Sequence, residues 1–272
     1  MDNVITAKPV LRWAGGKNWL VKHLPDIFMT TNFKSYHEPF LGGASIFLSI
    51  QVNNKSFLSD LNQELISAYS TLKDDPEAII DELKTYENTE DFYYRIRKQK
   101  FKKIVKKAAR FIYLNQTSFN GIYRVNLKGE YNVPFGYRTK EFLESDKLRS
   151  VSNKLQGSML FSGDFDLIKQ NIGKRDLVFL DPPYTVSHND NGFIKYNQKL
   201  FSLKDQERLS LLIDYIKGKD AYYVMTNAAS MKILEIFEKG DKRIVLKRAN
   251  LIGGLNAKRG RTSEYIFTNI KV

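Results

Sequence analysis

The chain has 272 residues, 42% hydrophobic and 27% charged, which suits one large globular domain or two smaller ones. Lysine and arginine number 43 against 30 aspartates and glutamates, and the net charge of +13 favours polyanionic partners. Cysteine is absent, which excludes disulfides, cysteine–zinc sites and thiol nucleophiles, and no apolar run approaches the roughly 20 residues of a membrane span. The opening "MDNVITAKPVLRW" lacks the charged start and apolar core of a secretory leader, so a cytoplasmic protein is expected.

In chain order, "RWAGGK" (12–17) joins a tryptophan, a glycine pair and a lysine, either as a binding loop or as a packed tryptophan with a turn. "SYHEPFLGGASIFLSI" reads as a short strand, a glycine turn and an apolar helix. Gly42 and Gly43 would let the backbone turn tightly there, although the pattern is not the dinucleotide fingerprint. "SFLSDLNQELISAYSTL" reads as a strand, an acid and a helix. Asp60 then either accepts two ribose hydroxyls at the strand end or caps the helix.

The middle of the chain, about 70 to 150, differs in character. It is helical and basic to about 114. From Arg95 to Arg110, "RIRKQKFKKIVKKAAR" carries nine basic residues and no acid. Ile96, Ile104, Val105, Ala108 and Ile112 fall near helical spacing, which predicts an amphipathic helix with a cationic face suited to nucleic acid. "NQTSFNGIYRVNLKGEYNVPFGYR" follows, with alternating character that suggests a loop and a hairpin around "NLKGEYNV".

In the last third, "MLFSGDFDLIKQ", "LVFLDPPY" and "AYYVMTNAAS" are short apolar runs ending in polar loops. Asp164 could accept an adenine's exocyclic amine with Phe165 beside the ring, or could cap a turn. "FSLKDQERLSLLIDYIK" is a helix with Ser202 as N-cap and Asp205 completing a capping box. "SEYIFTNIKV" reads as a last strand, antiparallel at the edge of the sheet. Strands alternating with helices imply a mostly parallel, doubly wound α/β sheet, whose ligands bind at the carboxyl ends of the strands.

"DPPY" (181–184) is the most specific motif. A planar amino group on a base is a poor nucleophile, because its lone pair is delocalised into the ring. Asp181 and the carbonyl of Pro182 offer two acceptors for its two N–H bonds, Pro182 and Pro183 hold the chain stiff, and Tyr184 offers a face for stacking. The competing reading is a proline-terminated edge strand.

Taken together, "RWAGGK", "EPFLGGASIFL", "SDLNQELISAY", "FNGIYRVNLKGEYNVPFG" and "DPPY" occur in the order and spread, from about residue 9 to 269, that resembles the DNA adenine methyltransferase (Dam) family, alpha group, D12 class. These enzymes methylate adenine N6 with S-adenosylmethionine. The resemblance implies a Rossmann-like methyltransferase sheet formed by residues 1–69 and 150–272, and an inserted, mainly helical target-recognition domain, 70–149, carrying a β-hairpin. It implies S-adenosylmethionine held by Trp13, Ala14, Gly15, Lys17, Glu38, Pro39, Phe40, Gly42, Gly43, Ser45, Asp60, Asp164, Phe165 and Asp181, with Asp181, Pro182, Pro183 and Tyr184 at the chemistry. Transfer would be direct and in line, in keeping with the missing thiol, on an adenine flipped from the duplex.

For DNA, the resemblance implies contacts from Arg95, Asn120, Ile122, Arg124, Pro134, Tyr137 and Arg138, with GATC, or another short adenine-containing site such as one with GAT, as the target. At Tyr137–Arg138 the aromatic and basic residues stand in the opposite order to the family's pattern. "HNDNG" (188–192) would close over the flipped base. The implied partner is double-stranded DNA, acted on by a monomer without metal or membrane, with or without a cognate restriction endonuclease. Cytosine N4, RNA and a non-catalytic DNA-binding role are the competing readings.

Overall fold

The computed structural model describes residues 6–29, 31–126, 128–184, 201–249 and 261–271. The "HNDNG" segment lies outside them. The strands are β1 (Tyr36–Glu38), β2 (Ser56–Asp60), β3 (Ser158–Ser162), β4 (Leu177–Leu180), β5 (Tyr222–Ala228), β6 (Lys242–Ala249) and β7 (Arg261–Thr268), in one sheet of order β3-β2-β1-β4-β5-β7-β6. β1, β4 and β5 run parallel, with Tyr36 opposite Leu177 and Leu177 opposite Tyr222. β7 pairs antiparallel with both β5 and β6.

The expectation of an edge position for the last strand is therefore corrected. Ile266, Phe267 and Thr268 of β7 are consecutive and buried, as a strand covered on both faces requires. β6 takes the edge instead, with Lys242, Arg243 and Lys247 exposed along it, and such charges discourage pairing with another chain.

The chain forms two compact units. One comprises residues 22–40, 52–57 and 164–272. Its core is the fully buried run Leu177–Leu180, the β5 residues Tyr223, Val224 and Met225, and the inward face of a helix over Leu203–Gly218 (Leu209, Leu212, Ile213, Ile216). That helix starts at the expected capping box, in which Ser202 Oγ accepts the Asp205 N–H and the Asp205 carboxylate accepts the Ser202 N–H. Four successive apolar residues in β4 cannot alternate, so this strand is central rather than a proline-terminated edge.

The other unit comprises residues 1–21, 41–51 and 58–163. Helices α1 (Gln63–Asp74), α2 (Pro76–Lys84), α3 (Glu90–Lys98), α4 (Ile104–Thr117) and α5 (Ser145–Leu155) build it. The apolar stripes of α1, α2, α4 and α5 pack on one another. The glycine turn after β1 leads into a single 3₁₀ turn, Phe47–Ser49, not the expected apolar helix.

The expected helix over 95–110 is two helices. α3 ends at Lys98, and Gln99 is extended at φ −74°, ψ 136°. Lys98, Lys100, Lys102 and Lys103 crowd this junction without an acid, and like charges at helical spacing destabilise a helix. The break also upsets the predicted apolar seam, since Ile96, Ala108 and Ile112 are buried but Ile104 is 64% exposed. Nor are all nine basic residues turned outward: Arg110 donates from Nε to the Ile96 carbonyl and from Nη2 to the Arg97 carbonyl, closing the end of α3. Burial lowers its pKa.

Candidate active site

In the unit that contains β4, the strand order reverses between β1 and β4, the switch point at which open α/β sheets bind ligands. Glu38 ends β1 and Asp181 follows β4 there. Glu38 is buried, and its Oε2 accepts a hydrogen bond from the fully buried Tyr36 hydroxyl at 2.8 Å. On the other side of β1, His37 Nε2 meets Asp176 Oδ2 at 2.9 Å, which ties β1 to the start of β4. The Asp176 carboxylate also accepts the Ser35 and Gly173 N–H groups.

Asp181 Oδ1 accepts the Thr226 hydroxyl at 2.6 Å, from a fully buried threonine on β5. Two prolines on, the Tyr184 hydroxyl donates to Glu264 Oε2 of β7 at 2.6 Å. Burial, then the Asp181 and Glu264 carboxylates, hold the Tyr184 hydroxyl well above its ordinary pKa, so it stays protonated and a donor. Sequence reasoning did not single out Thr226 or Glu264. Thr226 carried a weak signal, a hydroxyl near the end of the apolar run "YYVM", whereas nothing in the sequence places β7 beside β5.

Asp164 does cap a turn, accepting the Asp166 N–H on Oδ1. The same oxygen takes Arg208 Nη2 at 2.6 Å. Burial would raise the Asp164 pKa, but Arg208 and the Asp166 N–H outweigh it and leave the carboxyl below its usual range. The Arg208 guanidinium lies 4.7 Å over the Phe165 ring, and Phe165 also meets Phe40 and Phe201 at 5.5 and 5.8 Å. Arg208 is thus a further group at this position that the motif reading missed.

In the other unit, Asp60 is not the helix cap. Asn62 is, accepting the Leu65 N–H. Asp60 accepts the Gly42 N–H on Oδ2 and the Asn62 N–H on Oδ1, each at 2.9 Å. Burial raises its pKa, with those N–H groups opposing. Gly42 has φ +47°, and a Cβ there would stand 2.6 Å from Trp13 Cδ1, so its freedom serves a close approach to Trp13.

"RWAGGK" is a packed tryptophan as well as a loop. Trp13 stacks on Tyr123 at 5.4 Å and 20°. Asn115 of α4 fixes the residue before it, accepting the Arg12 N–H and donating to the Arg12 carbonyl. Ser45 accepts the Lys17 N–H, and Lys17 Nζ donates to the Gly15 carbonyl. Ala14 and Gly15 are exposed.

Among the described residues, the 118–138 stretch carries the isolated antiparallel bridges Ser118–Phe135 and Val125–Tyr131. Asn126 folds the turn, its side chain accepting the Lys128 and Glu130 N–H groups. Tyr131 is the buried anchor, its hydroxyl donating to the Ile122 carbonyl and accepting from the Ser118 hydroxyl, each at 2.9 Å, with its pKa pushed up to about 12 by burial. Gly136 allows a close pass, since a Cβ would lie 2.6 Å from the Ser118 carbonyl oxygen.

Around this frame Asn120, Arg124, Pro134 and Tyr137 are exposed, and Ile122 and Arg138 are partly so. Arg124 Nε donates to Asn132 Oδ1 at 2.8 Å, and the Tyr137 hydroxyl to Glu90 at 2.6 Å. Asn88 holds the Arg138 carbonyl. Arg95 lies over the Phe92 ring at 4.6 Å. Among the described residues, no helix is long and apolar enough to cross a membrane and no group of three His, Asp or Glu is set to hold a metal ion.

A profile of the D12 class N6 adenine-specific DNA methyltransferases matches residues 13–250. The chain is 31% identical over 279 aligned positions to the Type II methyltransferase M1.LlaDCHI of Lactococcus lactis subsp. cremoris, covering 98% of this chain and 97% of that one. It is 31% identical to the Type II methyltransferase M.MjaIII of Methanocaldococcus jannaschii, covering 89% and 92%. It is 30% identical to the DNA adenine methylase of Haemophilus influenzae, covering 89% and 87%. With the match spanning most of its length, the chain belongs to the D12 class of N6 adenine-specific DNA methyltransferases.

Proposed function

We propose that the enzyme flips an adenine out of duplex DNA, within GATC, and methylates N6 by direct in-line transfer. S-adenosylmethionine would supply the methyl group as an electrophilic carbon. The observation that carries the reading is Asp181, on a two-proline link at the carboxyl end of β4, with Oδ1 already held by Thr226. The Asp181 carboxylate and the Pro182 carbonyl would accept the two N6–H bonds and draw the nitrogen toward tetrahedral geometry. Tyr184 would stack on the base, worth roughly 1–3 kcal/mol. Because the chain has no cysteine, no thiol intermediate competes with this route.

The donor set fits the cofactor. The Asp60 carboxylate, which accepts the Gly42, Asn62 and Leu61 N–H groups, would also accept a ribose hydroxyl. Both Asp164 contacts fall on Oδ1, which leaves Oδ2 to accept an adenine amine beside Phe165. Glu38, Pro39, Phe40, Gly42, Gly43 and Ser45, with Trp13, Ala14, Gly15 and Lys17, would complete the binding residues.

On DNA, Arg124 would read a guanine and exchange Asn132 for it. Asn120, Ile122 and Pro134 would orient the site, and Arg95 with the lysines after it would bind phosphate. A different adenine-containing site is the second reading, favoured by the engagement of Tyr137 with Glu90 where the family order is reversed.

Replacing the target adenine of a GATC duplex by 2-aminopurine tests the flip. Its fluorescence should rise on binding the enzyme and stay flat in a scrambled duplex. Equal responses from both duplexes would refute the GATC assignment.

A further inference from the structure

Two prolines fix the backbone between Asp181 and Tyr184, but they do not fix the χ angles of either flanking side chain. Buried polar groups from neighbouring strands do that. Thr226 of β5, fully buried, donates to Asp181 Oδ1 at 2.6 Å, and Glu264 of β7, 2% exposed, accepts from Tyr184 at 2.6 Å. A valine would fill the position of Thr226 without a polar atom, among Val224 and Met225, which are fully buried as well. Burying a hydroxyl and a carboxyl in a sheet costs free energy that hydrogen bonds must offset, and the partners here are the two side chains of the "DPPY" motif.

We propose that Thr226 and Glu264 are positioning residues for methyl transfer, Thr226 by fixing the orientation of the Asp181 carboxylate for the adenine amine, and Glu264 by holding the Tyr184 ring in the plane on which the base stacks. The inference rests on the assignment of Asp181 and Tyr184 to the target adenine. The division of labour is specific. Thr226 gives its hydroxyl proton to Oδ1 and so fixes the plane of the Asp181 carboxylate. Glu264 takes the hydroxyl proton of Tyr184 and removes the ring's freedom to swing.

The test is single-turnover transfer of labelled methyl from S-adenosylmethionine to unmethylated genomic DNA by wild type, Thr226→Val, Thr226→Ser, Glu264→Leu and Glu264→Gln. Binding of cofactor and DNA and the melting temperature are measured alongside. Thr226→Val should lower the rate constant about ten- to hundred-fold, the effect of losing one charge-assisted hydrogen bond, with both binding constants and the melting temperature unchanged. Thr226→Ser should restore most of it, and Glu264→Gln should recover much of what Glu264→Leu loses. Wild-type rates in both Thr226→Val and Glu264→Leu would overturn the proposal. So would a loss in Thr226→Val that tracks a lowered melting temperature and is not rescued by serine. An inactive wild type would instead overturn the adenine assignment, and the proposal with it. Should Glu264→Leu fail to fold, the threonine pair decides.

Discussion

The polar groups at the end of β4 and those of the 118–138 stretch are held in opposite ways. Asp181 and Tyr184 are gripped by buried partners on strands, Thr226 and Glu264. In 118–138 the frame is what is buried, through Tyr131, Phe135 and the close pass at Gly136, while Asn120, Arg124 and Tyr137 stand exposed. Arg124 donates to the Asn132 side chain and carbonyl. Chemistry on one nitrogen needs acceptors whose direction is set before the substrate arrives. Reading a base needs a side chain that gives up a weak surface partner cheaply for a better one.

Substitutions can break or sharpen that contrast. The largest effect should come from Asp181→Ala, which should abolish methyl transfer while leaving sequence-specific DNA binding intact, read by product formation and gel shift. Near-normal turnover would remove Asp181 from the chemistry. Next is the frame beneath it. Burial pushes the Asp176 carboxyl up, but His37 and the Gly173 and Ser35 N–H groups outweigh it and leave it below its usual range. A carboxyl lowered by folding stabilises the fold above the unfolded-state range, and the contribution drains away as pH falls through the lower folded value. Asp176→Asn should therefore cost about 1–3 kcal/mol at neutral pH and flatten the acid limb of the stability curve. Denaturant titrations at neutral and acid pH check this, and an unaltered acid limb would contradict it.

Arg124→Ala should leave stability untouched and relax discrimination at one guanine by about 1–3 kcal/mol, measured by competition among singly substituted duplexes. Unchanged discrimination at every position would put the guanine reader elsewhere. The smallest effect per residue belongs to the exposed junction between α3 and α4. Replacing Lys100, Lys102 and Lys103 with glutamine should weaken binding to all sequences alike and reduce the salt slope by about 0.9 for each phosphate no longer neutralised. A change confined to one sequence would argue for base reading there.

The same contrast explains what could be read from sequence. "LVFLDPPY" was legible because four apolar residues, an acid and two prolines leave few local alternatives, and Ser202 with Asp205 announced a helix start that the structure contains. Asp60 and Asp164 looked ambiguous between cap and ligand. Asn62 turned out to be the cap in one case, whereas Asp164 caps and also binds Arg208. Thr226, Glu264 and Arg208 escaped notice because their meaning depends on pairings distant in sequence: Thr226 lies 45 residues from Asp181, and Glu264 lies 80 from Tyr184. The helix expected over 95–110 failed for a local reason, the clash of lysines at the α3 end, which apolar periodicity does not register.

The central claim is that this chain methylates adenine N6 at GATC through Asp181. The most direct test is transfer from labelled S-adenosylmethionine to unmethylated genomic DNA, with the modified bases mapped by sequencing. The account predicts N6-methyladenine confined to GATC. N6-methyladenine at another short motif would contradict the reading of residues 118–138, and modification of cytosine, or none at all, would contradict the account of Asp181.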